Sequence, residues 1–276
     1  MLKQRTITAL ILAPLAVATV LLTPTWLFAL IVAALFLGVG WEWAQLAGVA
    51  SRAGRLGVVG VGALLLALAW PLHGSVAAAW PIAAGLLWWL LALLWLRHFA
   101  WAAAPTRDNT AIKLAACAAA VVPAWLALMH LHAQAPHGPY WTLLAVMLVW
   151  AADTGAYFAG TRFGRSRFAP RISPNKTWAG VWGAFALAGV VALVGGWLLD
   201  WRDGWLAGLL GVALLSVVAS IVGDLVESLL KRHANVKDSG SLFPGHGGLL
   251  DRADSLLAAL PVFGAGKALL DLLRQS

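Results

Sequence analysis

Asp224, Glu227 and Ser228 recur at the i, i+3, i+4 spacing that places side chains on one helix face, and Lys231 lies one turn further on, within reach of Glu227. Asp251 and Asp254 repeat the i, i+3 spacing at the start of a later segment. Between these acidic pairs stand Lys231, Arg232, Lys237 and the run Pro244-Gly245-His246-Gly247-Gly248, whose glycines permit a sharp turn and close backbone approach to a ligand. Carboxylates brought together across such a turn suit Mg²⁺, which takes oxygen ligands, retains water and is shared with substrate phosphates. Lys231, Arg232, Lys237, His246 and Arg252 could neutralise those phosphates. A solvated, salt-bridged loop explains any one of these basic residues about as well. It does not explain two acidic pairs at helical spacing around a glycine-rich turn.

A second polar group lies upstream. Asp153 sits in Trp150-Ala151-Ala152-Asp153-Thr154-Gly155-Ala156-Tyr157, where small neighbours let another helix come close and the carboxylate is expected to face the interior of a bundle. Ser173, Asn175, Lys176 and Thr177 immediately precede an apolar segment. A helix beginning there would offer an anion site built of hydroxyls, a lysine and free backbone N–H groups. An ordinary N-cap, with Thr177 or Ser173 as the capping residue, accounts for the same residues and is preferred when the stretch is taken alone. Asp108, Asp200, Asp203 and Asp271 read as solvent-facing, and Glu42 reads as a solvated helix end at an interface.

Composition says what kind of element must hold these groups. Of 276 residues, 62% are hydrophobic and only 11% charged, with a mean hydropathy of +0.84, where a soluble fold would carry roughly a quarter charged residues. The chain is a polytopic membrane protein, and disorder, a secreted disulfide scaffold and a cytosolic α/β enzyme are excluded; its one cysteine, Cys117, lies in an apolar run. A hydrocarbon core of about 30 Å needs roughly 20 apolar helical residues. Eight runs approach that length, at 6–22, 26–46, 57–70, 77–96, 112–131, 141–160, 178–199 and 205–230. A ninth, 255–272, is interrupted by Pro261, Gly264, Gly266 and Lys267 and reads as a broken span or a helix packed inside the bundle. The expected fold is all-α, a bundle of eight or nine transmembrane helices in a single integral membrane domain. Residues 1–140 supply N-terminal helices, and 141–276 carry the polar clusters.

Positive charge alternates between the connections. Lys3 and Arg5 precede the first run, Arg52 and Arg55 follow the second, and Arg97, Arg107 and Lys113 follow the fourth. Arg162, Arg165, Arg167, Arg171 and Lys176 follow the sixth, and Lys231, Arg232, Lys237 and Arg252 follow the eighth, so sixteen of the 19 basic residues share one side. By the positive-inside rule that side is cytoplasmic, and both polar clusters lie there. The net charge of +8 is then mostly topogenic, and nucleic-acid binding falls away. Trp26, Trp70, Trp141, Trp178, Trp201 and Trp205 lie near run ends, where their rings suit the membrane interface. Lys3, Arg5 and Ala16-Val17-Ala18 give the first run the look of a signal peptide, but the later loops are in phase with a retained first helix.

Over 228–254 the chain reads Ser-x-x-Lys-Arg, four residues, Lys-Asp-x-Gly, then Pro-Gly-His-Gly-Gly-x-x-Asp-Arg-x-Asp. This order and spacing resemble the signature of the CDP-diacylglycerol synthases, or phosphatidate cytidylyltransferases. Asp-Thr-Gly-Ala-Tyr from Asp153 and Ser-Pro-Asn-Lys-Thr-Trp from Ser173 also look like family elements, so the resemblance covers roughly 150–265; the first half matches only as a run of spans. Ala253 departs from the pattern, where a larger apolar residue is more usual. The resemblance implies transfer of CMP from CTP to phosphatidate, yielding CDP-diacylglycerol and pyrophosphate with Mg²⁺, at the cytoplasmic face of the inner membrane. It implies Asp224, Asp251 and Asp254 as metal ligands, with Lys231 beside them in the catalytic set. Arg232, Lys237 and His246 would contact phosphates, Ser173 and Lys176 would help to bind CTP or the lipid headgroup, and Asp153 would orient a basic residue or a metal-bound water. The partners implied are CTP, phosphatidate and the membrane, with assembly as a homodimer left open. A transporter is the main alternative from another class, but the polar groups crowd toward one face and one half instead of a midplane site between repeats. A CTP-dependent lipid kinase, which would release CDP, is nearer in chemistry.

Overall fold

The computed structural model describes residues 2–240 and 247–276, with side chains from residue 12 onward. The described residues form nine α-helices: α1 (Leu2–Leu22), α2 (Thr25–Leu46), α3 (Arg52–Ala69), α4 (Ala79–Arg97), α5 (Arg107–His132), α6 (Gly138–Phe163), α7 (Trp178–Leu198), α8 (Asp203–His233) and α9 (Leu250–Gln275). The eight from α2 to α9 are long and apolar enough to cross a membrane, as the composition requires. Within a bilayer each helix must satisfy its own backbone, and the ends are closed by side chains. Ser51 accepts from Gly54 N (3.0 Å) at the start of α3, and Thr106 from Asn109 N (3.3 Å) at the start of α5.

Helix α5 occupies the centre, packed against α2, α3, α4, α6 and α9. Its buried Ala116, Ala120, Ala124 and Ala127 let those neighbours approach closely, which is how helices gain contact where lipid is as apolar as leucine. Buried tryptophans clamp α2 onto it: Trp43 Nε1 donates to the Lys113 carbonyl (2.9 Å) and Trp125 Nε1 to the Ala29 carbonyl (3.1 Å). Thr110 Oγ1 adds a bond to the Ala47 carbonyl at 2.9 Å, so the C-terminal end of α2 is held rigidly.

Helices α6 with α7 and α8 with α9 form the two most extensive pairs. Gly155 and Gly183 abut so tightly that a Cβ on either would meet the other's carbonyl oxygen. Gly223 stands in the same relation to the carbonyl of Asp254, which brings the acidic ends of α8 and α9 together.

The segment read as a broken span or an internal helix is one continuous helix that runs the length of the bundle despite Pro261. At its start Asp251 meets Lys231 near the end of α8; at its far end the Arg274 guanidinium lies 5.5 Å from the ring of Trp201, in the α7–α8 connection. Lys267 is tolerated because it pairs with Asp271 (2.5 Å), donates to Gln134 Oε1 (3.1 Å) and lies 4.7 Å from the Trp141 ring centroid. Trp141 and Trp201, expected at the interface, are instead only 4% and 3% exposed, because their rings cover this lysine.

A second departure is a small antiparallel hairpin, β1 (Arg167–Ala169) with β2 (Ser173–Thr177), in register Arg167↔Thr177 and Ala169↔Ser173. Ser-Pro-Asn-Lys-Thr reads in sequence as the approach to a helix, and it is also a strand. Thr177 ends β2 and caps α7, its Oγ1 accepting from Gly180 N at 3.1 Å, as expected of a capping residue.

Two outcomes follow from this architecture. With α9 spanning, Ser276→Cys in right-side-out vesicles reacts with a membrane-impermeant maleimide, whereas Ser51→Cys reacts only after permeabilisation; Cys117 is buried and contributes no background. Gly183→Leu pushes α7 away from α6 and lowers stability by about 1–3 kcal/mol, read as a drop in the unfolding midpoint in detergent.

Candidate active site

Near the ends of α6, α8 and the hairpin, and at the start of α9, a cavity of about 400 Å³ is lined by five carboxylates, Asp153, Asp224, Glu227, Asp251 and Asp254, and by two lysines, Lys176 and Lys231. Helix α8 presents Asp224, Glu227, Ser228 and Lys231 along one face, as their spacing predicts: Ser228 Oγ lies 3.4 Å from Asp224 Oδ1, and Lys231 Nζ lies 2.5 Å from Glu227 Oε2. Helix α9 faces it with Asp251 and Asp254. Strand β2 delivers Lys176 from the opposite wall, where its ammonium pairs with Asp224. Asp153, on α6, faces the cavity and lies within the fields of Asp224, Lys176 and Arg252.

Two groupings separate within this set. One carboxylate oxygen from each of Asp224, Glu227 and Asp254 lies within 4.8 Å of the others. Asp251 is engaged elsewhere. Its Oδ1 receives Lys231 Nζ at 2.7 Å, while Oδ2 accepts from Ser239 N (2.9 Å), Ser239 Oγ (2.8 Å) and Gly248 N (2.8 Å). The sequence grouped Asp251 with Asp224 and Asp254; in the structure Glu227, one turn from Asp224 on the same helix, occupies that place. Glu227 is 2% exposed and its Oε1 has no hydrogen-bond partner.

The remaining residues singled out from sequence divide. Arg232 stands outside the cavity lining and braces the hairpin, its Nε donating to the Ile172 carbonyl at 3.2 Å. Ser173, at the far end of β2, and the exposed Lys237 are also absent from the lining. His246 lies outside the described residues.

Glu42, read as a solvated helix end, is 5% exposed and belongs to this region. Its Oε2 accepts from Leu250 N (2.8 Å), the first free N–H of α9, and lies 2.9 Å from Ser239 Oγ, whose single proton is shared between it and Asp251 Oδ2. Glycines make room for these carboxylates: a Cβ on Gly248, in the glycine-rich turn, or on Gly240 before it would meet the Glu42 carboxylate, and one on Gly247, at φ +79°, would lie 2.9 Å from Asp251 Oδ2. Nothing local in the sequence marks Glu42. Its partners are about 200 residues away, and an isolated acid at a helix end is usually solvated.

Lys231, between Glu227 and Asp251, is the cation on which this arrangement turns. Breaking a buried ion pair by removing one partner costs about 3–5 kcal/mol, because the other charge stays desolvated and unpaired. Lys231→Met is therefore expected to lower unfolding stability in detergent by about 3 kcal/mol or more, whereas a loss of under ~1 kcal/mol would show that the three groups do not act together.

The chain matches the model of the cytidylyltransferase family over residues 3–268. It is 41% identical over 271 residues to a phosphatidate cytidylyltransferase of Pseudomonas aeruginosa, covering 96% of each chain. It is 35% identical over 284 residues to one of Haemophilus influenzae, covering 95% of this chain and 97% of the relative. With a family match over nearly the whole chain and relatives of 41% and 35% identity covered almost completely, the chain belongs to the cytidylyltransferase family.

Proposed function

We propose that this chain is a phosphatidate cytidylyltransferase, transferring CMP from CTP to phosphatidate and releasing pyrophosphate. The observation that carries the reading is near full-length similarity to relatives bearing that name, joined to a cavity whose chemistry suits both substrates. Ala152, Ala156, Val181, Ala184 and Ile221 form an apolar part of the lining within the spans, suited to the lipid side; Asp224, Lys176 and Lys231 form a polar part suited to phosphates.

The reaction is a displacement at phosphorus. An oxygen of the lipid phosphate forms a bond to the α-phosphorus of CTP as the bond to the β-phosphate oxygen breaks, and its electrons leave with pyrophosphate. A phosphate monoester has its second pKa near about 6, so the nucleophile is largely dianionic near neutrality and needs no dedicated base. The obstacle is repulsion between two anions and charge gathering on the leaving group. Lys231, held by Glu227 and Asp251, offers a fixed positive charge, and Lys176 offers a second on the opposite wall. Asp153 orients Lys176 from α6.

Five carboxylates against two lysines leave a surplus of negative charge in the cavity lining, and Glu227 Oε1 is buried without a partner. That surplus of hard oxygen donors fits Mg²⁺ held by Asp224, Glu227 and Asp254. Bound there, Mg²⁺ would supply charge neutralisation to the phosphates. Arg162, Arg165, Arg167 and Arg171 crowd the same end of the bundle, which supports a cytoplasmic placement in the inner membrane, where CTP is available. The reading leaves monomer or homodimer to a mass measurement in detergent.

Purified protein given labelled CTP and phosphatidate in mixed micelles is expected to yield CDP-diacylglycerol and pyrophosphate, to stop on chelation of divalent ions, and to lose more than ~100-fold in kcat on Asp254→Asn. Release of CDP with phosphorylated lipid would mark a kinase instead, and near-normal turnover of the variant would remove Asp254 from the metal set.

A further inference from the structure

Glu42 is far in sequence from the reacting region, yet its carboxylate joins the N-terminal helices to the described ends of the signature loop. It sits near the C-terminal end of α2, where Trp43 and Thr110 fix the backbone to α5. From that rigid mount its Oε2 holds two things at once, the Ser239 hydroxyl at 2.9 Å and the Leu250 N–H at 2.8 Å. The Ser239 oxygen lies 2.8 Å from Asp251 Oδ2, and the Asp251 N–H lies 3.3 Å from the same hydroxyl. Asp251 in turn grips Lys231, which bridges to Glu227. A continuous chain of contacts runs from α2 through Ser239 and Asp251 to the lysine of the cavity. Gly240 and Gly248 both come close to the glutamate, and each lacks the Cβ that would strike its carboxylate.

We infer that Glu42 is a positioning residue for the reaction, acting through Ser239 and Asp251 to set where Lys231 stands. This rests on the proposed phosphoryl chemistry, since it gives Lys231 a substrate phosphate to meet. Among the described residues the hydrogen bonds of Glu42 go to Ser239 and Leu250, neither of which lines the cavity, so its loss acts on the lining charges through the loop. The capping of α9 is part of the same device. A carboxylate on the Leu250 N–H complements the positive end of the helix and fixes the angle at which α9 enters. With Gly248 N and Asp251 N also bonded within the protein, this helix start serves to build the site and is not a phosphate cradle.

The test uses the full chain in nanodiscs with Glu42→Gln, Ser239→Ala and the double variant. Glu42→Gln is expected to lower kcat by roughly 10-fold or more, the weight of a charge-assisted hydrogen bond, with the KM for CTP changing by less than about 3-fold. The double variant is expected to be no slower than the slower single one, because both cut the same connection. Hydrogen exchange in the peptide carrying Leu249 to Asp251 is expected to quicken about 10-fold in Glu42→Gln and to stay unchanged in α6 and α7. A purely structural role would reduce the folded yield and leave kcat per folded molecule intact. Wild-type kcat in both single variants, or losses that multiply in the double, would overturn the inference. Should Glu42→Gln fail to fold, Ser239→Ala carries the kinetic test, since it keeps the Glu42–Leu250 bond. Should the wild type make no CDP-diacylglycerol, the functional reading fails, and exchange at Leu249 to Asp251 still decides whether Glu42 holds the loop.

Discussion

Like charges gathered at the edge of a low-dielectric bundle repel one another strongly, and a fold that collects five carboxylates around one cavity must offset that repulsion at every contact. The arrangement of α6 to α9 follows from this requirement. Lys231 stands between Glu227 and Asp251, Lys176 crosses from the hairpin to Asp224, and three N–H groups of the loop and α9 are spent on Asp251 and Glu42. Asp224, Glu227 and Asp254 bring three carboxylates together with only Lys176 and Lys231 beside them, and Glu227 Oε1 is left without a partner, which suits a site made to receive further cationic charge. Gly223 matters here as much as any charged group, because only its bare backbone lets α9 come near enough for Asp254 to join Asp224.

Length accounts for where this happens. Helix α8 has 31 residues, about 46 Å at 1.5 Å per residue, against a hydrocarbon core of about 30 Å. Asp224 to Lys231 lie in the last third of the helix, more than about 30 Å along the axis from its start, so one span's length of apolar helix precedes them. A helix of ordinary span length would have buried them in acyl chains, where carboxylates are expensive.

Much of this was legible in the sequence because it is local. Spans show as apolar runs, and the pairing of Glu227 with Lys231 as helical spacing. What stayed hidden depends on contacts between distant segments. Glu42 has no local feature that separates it from a solvated helix end, and only the fold reveals Ser239 and Leu250 beside it. Trp141 and Trp201 share the span-end position of interfacial tryptophans, and their burial depends on Lys267 from another helix. The hairpin was missed because Ser-Pro-Asn-Lys-Thr lacks strand alternation and ends in a true helix cap. The glycine-rich turn was noticed, but not that Gly247 and Gly248 also make room for the protein's own carboxylates.

Helix α9 is fastened at both ends, by Glu42 at its first N–H and by Lys267 inside a box of Trp141, Trp201, Gln134 and Asp271. The two fastenings are seventeen residues apart, about 26 Å along the axis, so the helix can neither slide nor bob within the bundle. The height of Asp251 and Asp254 relative to the bilayer is then set by the protein and not by its surroundings. In membranes of different thickness the lipids must adjust to that fixed height. Under the proposed function, how far a lipid headgroup must rise or sink to meet the carboxylates would then depend on the thickness of the bilayer.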